Sequence, residues 1–476
     1  MRRRRWLAAL GGAGLSGMAG LSGPSGLAGL AGLPGIGTLG AATRSVTRDG
    51  TGAAVQGPGV GTRAASGPVS ADPLGAMHAV LAATTGTVFD ALWSDPRFEL
   101  QLIYTRVDRL EPLAMGLGQT LRQAAGASPA APQLTHFRRG VEAQRWFAPA
   151  SLVKLPVAAL ALERIAESAP QGVTRESPFA LDTTLRCMQA AAAETESVAR
   201  AIRRMFVVSE NQAFNRLYEM LGQNRIHQRF AALGLPHSRV INRIAPCSPG
   251  ENRVTGAITF LDSGRRVLAR IEGETAQQAR RFPHGRALKG RAWVEGGKIL
   301  PGPRDFSERN FIPLDEAHRM LIALVMPEAL PPAQRFALDA DAHVFLRQCM
   351  GMLPAECTDP LYRAGDFPET FSKYLIGGAG LAALPPGVRS FNKVGRSFGY
   401  LSDCAYLVDA VRGAEFFLSA SVYVNRDDVL NDGRYEYQET GWPFLAALGR
   451  AALDVDAARA RAQPAALLGA DGRFSL

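Results

Sequence analysis

The chain has 476 residues, of which 47% are hydrophobic and 20% charged, so it can bury a large core in one large or two medium domains. Its net charge of +10 includes Arg2 to Arg5, and no long basic run is interleaved with aromatic residues, which argues against nucleic-acid binding. Five lysines stand among 53 basic residues, so lysine is rare in this chain.

The N-terminal region has the composition of an export signal. Residues 1–42 combine a compact basic start with a weakly apolar stretch rich in Gly, Ala and Leu, and no acidic residue precedes Asp49. Arg3 to Leu7 is similar to a twin-arginine pattern. We therefore predict an exported, periplasmic protein with a signal at 1–42 and a flexible leader at 43–75. The alternative interpretation is a basic disordered tail.

Later segments predict neither a membrane span nor a metal site. No apolar run after the leader is long enough to cross a bilayer. The five cysteines form no C-x-x-C pair and have no histidine at zinc-binding spacing. In an oxidising compartment Cys349 and Cys357 could bridge, and the odd count leaves at least one thiol unpaired.

The periodicity of the remaining chain predicts strands near its two ends and helices between them. The predicted strands are 98–109, 388–395, 404–411 and 415–425, and the predicted helices are 151–167, 194–205, 211–221, 226–233, 315–327 and 441–453. This order predicts an α/β (α+β) fold with one antiparallel sheet built from both chain ends and flanked by helices. An all-helical subdomain at about 151–387 is inserted, the domain covers 76–458, and 459–476 form a tail. A cleft is expected where the sheet and the helices meet.

The segment from about 253 to 310 interrupts this pattern, because it is rich in charged residues, Gly and Pro. Within it, RAWVEGGKILPGP is typical of a hairpin with its turn at Gly296-Gly297. We interpret the segment as an insertion on the helical part.

An unusual lysine marks the first candidate site. Lys154 follows Ser151 by three residues in a run that is otherwise apolar, so the two side chains share one helix face. A buried lysine can lose its proton and act as a base, which an arginine cannot do. The alternative is a lysine whose stem packs while its ammonium reaches solvent.

Two further short stretches are weak signals when taken alone. Ser209-Glu210-Asn211 directly precedes a helical run, where such residues usually cap a helix. Lys393 lies in a strand otherwise suited to burial and is followed by Gly395, which allows another backbone to come close.

The three stretches together, in this order, are far more specific. S-x-x-K, S-x-N and K-x-G occur here as SLVK, SEN and KVG, at the start of a helix, before a helix and on a strand. Over roughly residues 98–453 the chain resembles the serine β-lactamase and DD-peptidase superfamily, and it is most similar to the class A branch. Residues 306–325 and 399–410 are similar to further elements of that family.

The resemblance implies an acyl-transfer mechanism without a metal or cofactor. Ser151 is the implied nucleophile, and Lys154 is the base that takes its proton. Ser209 relays a proton to the leaving nitrogen, and Asn211 orients Lys154 and the substrate amide.

The same resemblance implies the substrate-binding groups. Lys393 supplies positive charge to a substrate carboxylate, and Gly395 permits close approach of the backbone. The backbone N–H groups of Ser151 and Arg396 are the implied oxyanion hole.

Three positions depart from the family pattern. Val394 replaces a Thr or Ser that helps to hold the substrate carboxylate, and Glu210 replaces Asp in a mild change. The E-x-x-L-N spacing that carries the deacylating glutamate of class A enzymes is missing from residues 242–256. Glu251 is the nearest candidate for a water-activating base, and the alternative is a surface acid.

We therefore predict an exported serine hydrolase that acts on a β-lactam or a related cell-wall amide, as in β-lactam catabolism. The alternatives are a DD-carboxypeptidase or esterase, or a penicillin-recognising protein that releases its acyl group slowly or not at all. We expect a monomer with a small-molecule or peptidoglycan-derived substrate, and no nucleic-acid partner.

Overall fold

A computed structural model describes residues 72–109 and 131–459. The predicted export signal (1–42), nearly all of the predicted leader and all but the first residue of the predicted tail lie outside the described residues. Among the described helices, none has both the length and the apolar character needed to cross a membrane.

The described residues form helices and strands in a mixed order. The helices are α1 (Pro73–Thr85), α2 (Asp90–Ser94), α3 (Lys154–Ser168), α4 (Gln189–Ala192), α5 (Val198–Val207), α6 (Asn211–Ala232), α7 (Leu314–Val325), α8 (Ala340–Gly351) and α9 (Trp442–Ala457). The strands are β1 (Gln101–Asp108), β2 (Gln133–Arg139), β3 (Pro178–Asp182), β4 (Glu196–Ser197), β5 (Ala257–Leu261), β6 (Val267–Ile271), β7 (Leu288–Lys289), β8 (Ala292–Glu295), β9 (Lys298–Pro301), β10 (Arg304–Asp305), β11 (Val388–Ser397), β12 (Tyr400–Asp409), β13 (Ala414–Tyr423) and β14 (Val429–Leu430).

The largest sheet joins the two ends of the described chain, as predicted. Its strand order is β11-β12-β13-β1-β2, and every neighbouring pair is antiparallel. β1 precedes the helical block and β11 to β13 follow it, so the block is inserted between strands of one sheet. β11 lies at one edge of this sheet, so the backbone groups on its outer side do not pair with another strand of the sheet.

The sheet is buried on both faces because its side chains alternate between two cores. Phe391, Cys404 and Phe417 contact the core that α3, α5 and α7 share, whereas Val394 and Phe416 contact the core of α1 and α9. The fold is therefore layered, with α1 and α9 on one side of the sheet and the helical block on the other.

The helical block differs from the prediction because it is not all helical. It carries a four-stranded sheet in the order β4-β3-β5-β6. Ile258 and Phe260 alternate with more exposed residues and are fully buried, which explains why this stretch is a strand. The predicted helices 211–221 and 226–233 are joined into α6, which is interrupted at Gly222 by a positive φ of 65°.

The predicted hairpin in the insertion is present, but its position differs from the prediction. β8 and β9 pair around Gly296 and Gly297, both of which have a positive φ. β8 also pairs in parallel with β14, which follows the strands of the large sheet along the chain. β7, which precedes the hairpin, contacts the same side: the ammonium of Lys289 lies 4.1 Å from the centre of the Tyr423 ring on β13. The insertion thus contacts the terminal sheet as well as the helical block.

The structure corrects two further interpretations. α1 begins at Pro73, inside the predicted leader, and the side chain of Asp72 caps it by accepting from the Gly75 backbone N–H at 3.0 Å. The disulfide joins Cys187 to Cys247, whereas Cys349 and Cys357 are buried free thiols. Proximity along the chain was misleading, because folding brings together two segments that are 60 residues apart.

Candidate active site

The nucleophile candidate lies at a strained turn. Ser151 follows Ala150, whose φ of 46° is unusual for a residue with a side chain. A short 3-10 helix, Ala150–Val153, then continues directly into α3, and Leu152 and Val153 are fully buried beneath it. The apolar residues fix the helix while Ser151 stays half-buried and reachable. Strain of this kind is concentrated at functional sites.

The amine of Lys154 is surrounded by hydrogen-bonding groups that bear on its protonation state. Its Nζ lies 2.7 Å from the Ser209 carbonyl oxygen and 2.8 Å from Asn211 Oδ1, and both of these atoms can only accept hydrogen bonds. Its distance to Ser151 Oγ is 2.8 Å. Nζ donates to all three oxygens in this structure; in the neutral form it would keep the two acceptor-only partners and could accept the Ser151 proton through its lone pair. The geometry therefore fits a base that takes the Ser151 proton.

Burial and charge act on Lys154 in the same direction. Lys154 is 0% exposed, and burial lowers the pKa of its amine well below its usual value. The nearby Lys393 charge lowers this pKa further, and Glu210 opposes the effect. Burial and the charge of Lys393 therefore both favour the neutral form of the amine.

The second motif places a hydroxyl between two lysines. Ser209 has a positive φ of 57° and is 3% exposed. Its Oγ lies 3.3 Å from Lys154 Nζ and 2.9 Å from Lys393 Nζ. Glu210 caps α6 by accepting from the backbone N–H groups of Gln212 and Ala213 at 2.9 and 2.6 Å. This cap fixes the loop that carries Ser209 and Asn211.

The third motif lies on the edge strand of the large sheet. Lys393 is 1% exposed, and its Nζ donates to Ser209 Oγ and to the Val394 carbonyl at 3.1 Å. Burial lowers the pKa of Lys393 to about 7. The structure thus brings Ser151, Lys154, Ser209 and Lys393 into one cluster, as the motif order predicts.

The backbone of β11 presents an N–H group on the side of the site. The carbonyls of Ser390 and Val394 accept from lysine side chains, so both point away from β12. Backbone groups two residues apart on a strand point the same way, so the Arg396 N–H also points away from β12. A Cβ built on Gly395 would lie only 2.6 Å from the Pro149 carbonyl, so glycine is required where β11 meets the Ser151 turn.

The side chains of Val394 and Arg396 both pack away from the reactive cluster. The Val394 side chain is 3% exposed and packs into the core on the α9 face of the sheet. The guanidinium of Arg396 lies over the rings of Tyr437 and Trp442, at 5.5 and 5.6 Å from their centres. Arg396 therefore offers its backbone to the site, while its side chain stacks elsewhere.

Glu251 is not brought to the reactive cluster. Its carboxylate accepts from the Ser248 backbone N–H at 2.7 Å, and this bond lowers the pKa of Glu251. Within residues 72–109 and 131–459, no hydrogen bond or ion pair joins this carboxylate to Ser151, Lys154 or Asn211. The Glu251 carboxylate is therefore hydrogen-bonded within its own turn, to Ser248.

Sequence reasoning missed a buried polar group behind Lys393. It consists of Lys373, Asn392 and Asp403, each at most 2% exposed. The scarcity of lysine was an available signal for Lys373, but the other two residues had none.

The surroundings offer space for a ligand but no metal centre. In the part of the chain that the structure describes, no group of three His, Cys, Asp or Glu side chains is placed to hold a metal ion. A surface cavity of about 540 Å³ adjoins the second motif, and its lining includes Val208, Glu210, Tyr362 and Phe367.

One known family matches part of the chain. The model of the β-lactamase enzyme family matches residues 132–284, a range that contains the first two motifs and ends before the third. This match confirms the predicted resemblance to the serine β-lactamase and DD-peptidase superfamily. No protein in the curated set matches the chain by sequence.

Solved structures similar to this chain are distant in sequence. The β-lactamase from Sphaerobacter thermophilus DSM 20745 is 13% identical, with a TM-score of 0.40 over 80% of this chain and 96% of that one. The β-lactamase from Desulfarculus baarsii DSM 2075 is 16% identical, with a TM-score of 0.42 over 81% and 98%. A class A β-lactamase representative from Bacteroides cellulosilyticus DSM 14838 is 12% identical, with a TM-score of 0.42 over 81% and 99%.

Proposed function

We propose that this protein is a serine hydrolase that forms an acyl-enzyme at Ser151 with a β-lactam or a related cell-wall amide. The observation that carries the proposal is the environment of Lys154. Its Nζ has two acceptor-only partners, the Ser209 carbonyl and Asn211 Oδ1, and the Ser151 hydroxyl lies as close to it as these acceptors do. No arginine could serve at this position, because guanidinium stays protonated.

The proposed reaction begins with proton transfer from Ser151 Oγ to Lys154 Nζ as Oγ attacks the substrate carbonyl carbon. The carbonyl oxygen becomes negative and accepts from the backbone N–H groups of Ser151 and Arg396. The carbon–nitrogen bond then breaks, and the proton passes from Lys154 through Ser209 to the leaving nitrogen. The acyl group remains on Ser151 until water hydrolyses the ester.

Lys393 has two functions in this scheme. Its ammonium donates to Ser209 Oγ, which leaves the Ser209 proton free to move towards the leaving nitrogen. Its charge also attracts an anionic group of the substrate. Since Val394 adds no hydroxyl and is turned into the core, the lysine carries more of this attraction than it does in the family pattern.

A second candidate function is favoured by the position of Glu251. Its carboxylate binds the Ser248 backbone N–H, so it is not arranged to activate a water molecule at Ser151. A protein that acylates readily but deacylates slowly would behave as a DD-peptidase-like or penicillin-recognising protein. The class A character and a place in β-lactam catabolism depend on efficient deacylation.

We also propose that the protein is exported and works in the periplasm. The basic and Gly-rich start of the chain supports this location. The disulfide between Cys187 and Cys247 supports it independently, because such bonds persist in oxidising compartments.

The experiment that tests the function is a time course with a fluorescent penicillin. A label that appears and then disappears would identify efficient hydrolysis, and a label that persists would identify the slow-release candidate. Absence of labelling by both the penicillin and a fluorophosphonate would overturn acyl-enzyme formation. A Ser151→Ala variant is the matched control for non-specific labelling.

A further inference from the structure

Lys373 occupies a site that is saturated with hydrogen-bond acceptors. Its Nζ donates to the Met350 carbonyl at 2.5 Å, the Ser390 carbonyl at 3.0 Å and Asn392 Oδ1 at 2.7 Å. None of these oxygens can donate, so all three N–H bonds of an ammonium are used. Unlike Lys154, Lys373 therefore has a site whose three acceptor-only partners match the three N–H bonds of an ammonium.

Asp403 is the matching anion. Its Oδ2 accepts from the backbone N–H groups of Tyr374 and Leu375 at 3.0 Å each, and its Oδ1 accepts from Asn392 Nδ2 at 2.8 Å. The amide of Asn392 thus bridges the cation and the anion, with its oxygen towards Lys373 and its nitrogen towards Asp403. A buried charge pair of this kind is tolerated only when its hydrogen bonds are satisfied.

This assembly joins the edge strand of the sheet to its surroundings. Met350 lies in the last turn of α8, Ser390 and Asn392 lie on β11, and Asp403 lies on β12 opposite Val394. Lys373 therefore satisfies a carbonyl of the edge strand and a carbonyl at the C-terminal end of α8 with one side chain. Asn392 is the residue directly before Lys393 and points to the opposite face of β11.

We propose that Lys373 and Asp403 are positioning residues of the active site, which hold β11 against α8 and act on the charge of Lys393 from the opposite face of the strand. The proposal rests on the proposed function, since it assigns these residues to the reaction at Ser151. They do not touch the substrate; their effect passes through β11 and Lys393.

The charges support this assignment. Burial lowers the pKa of Lys393 to about 7, Asp403 acts to raise this pKa, and Lys373 acts to lower it. Burial likewise lowers the pKa of Lys373 to about 7 and raises the pKa of Asp403 to about 6. Removing one member of the pair leaves the other uncompensated behind Lys393, and the two removals act in opposite directions.

Other titratable groups surround Lys393 and must be held constant. Lys154 faces it across the Ser209 hydroxyl, and Glu210 belongs to the same loop. Cys404, its register partner on β12, is neutral because burial raises the pKa of the thiol to about 12. None of these groups is changed by the substitutions below.

The test compares the pH dependence of the rate at which a fluorophosphonate labels Ser151. We expect Lys373→Met to move the alkaline limb of this profile to higher pH and Asp403→Asn to move it to lower pH, each by about half a pH unit or more. The double variant should return the limb towards that of the wild type. A purely structural role would lower the rate without opposite shifts, and unshifted limbs in both single variants would overturn the proposal.

Lys298→Met is the matched control, because Lys298 is exposed on the β9 hairpin and should leave the profile unchanged. If Lys373→Met does not fold, the proposal is still tested by the shift of the alkaline limb to lower pH in Asp403→Asn and by the cancellation of this shift in the double variant. Failure of the proposed function is distinguishable, since in that case the wild type itself would not be labelled at Ser151.

Discussion

Lys154 Nζ lies 2.8 Å from Ser151 Oγ, one helical turn away, in a pocket where its other close partners include the Ser209 carbonyl and Asn211 Oδ1. This relationship explains why a chain that uses arginine for most of its positive charge has a lysine here. The position requires an amine that can be neutral while buried.

The first prediction concerns that requirement. Lys154→Arg should reduce the rate of Ser151 acylation by about 100-fold or more, because the guanidinium keeps its proton and cannot act as the base. The rate is measured with a fluorophosphonate probe, and Lys298→Arg in the exposed hairpin is the matched control. Retention of most of the wild-type rate would make Lys154 a structural residue.

The second prediction is the pH dependence of acylation. The reaction needs neutral Lys154 and charged Lys393, and a lysine is charged below its pKa. Burial lowers the pKa of Lys154 well below its usual value, which favours the neutral base. Burial lowers the pKa of Lys393 to about 7, so the rate should fall as the pH rises through that value. A rate that keeps rising to pH 9 would contradict the need for charged Lys393.

The motif residues could be predicted from sequence because each motif is local. Ser151 and Lys154 are separated by one helical turn, and Ser209 and Asn211 by one residue, so the spacing in the sequence is enough to predict that each pair is close in space. The sheet was predictable from the strongly apolar strands at the end of the chain. β2 was missed because QLTHFRR is polar and pairs only with β1 at the edge of the sheet.

Contacts between distant segments could not be predicted in the same way. Lys373 contacts Asn392 because the segment that carries Lys373 packs against β11. Asp403 contacts Asn392 from the neighbouring strand, β12. The disulfide partner of Cys187 is likewise 60 residues away along the chain, and spacing along the chain pointed to Cys349 and Cys357 instead. Glu251 lies in the expected segment, but its carboxylate is hydrogen-bonded to the Ser248 backbone N–H in the local turn.

The third prediction follows from that turn. Glu251→Gln should leave the lifetime of the Ser151 adduct equal to that of the wild type, because the carboxylate bonds to Ser248 and not to the reactive cluster. The lifetime is measured by intact-protein mass spectrometry after a brief penicillin pulse. A markedly longer lifetime in the variant would make Glu251 the deacylating base after all.

The fourth prediction concerns the loop that carries Arg243 and Glu251. Arg243 donates through Nε to Glu219 Oε1 at 2.6 Å, both side chains are 0% exposed, and Arg243 also donates to the Glu251 carbonyl at 3.0 Å. Arg243→Leu should lower the free energy of unfolding by about 3–5 kcal/mol, because Glu219 would keep a buried and unpaired charge. Urea denaturation measures this difference.

The matched control for that loss is Arg266→Leu, because Arg266 pairs with Asp262 on the surface and its side chain is 87% exposed. Its substitution should leave the free energy of unfolding nearly unchanged. Equal effects of the two substitutions would show that the buried pair does not hold the loop.

The most direct test of the account is to map the site of covalent labelling. Wild type and Ser151→Ala are exposed to a fluorophosphonate, digested and analysed by peptide mass spectrometry, while circular dichroism verifies that both are folded. We predict one adduct, on the peptide that contains Ser151, and no adduct in the variant. An adduct on Ser209, or labelling that survives Ser151→Ala, would contradict the assignment of Ser151 as the nucleophile.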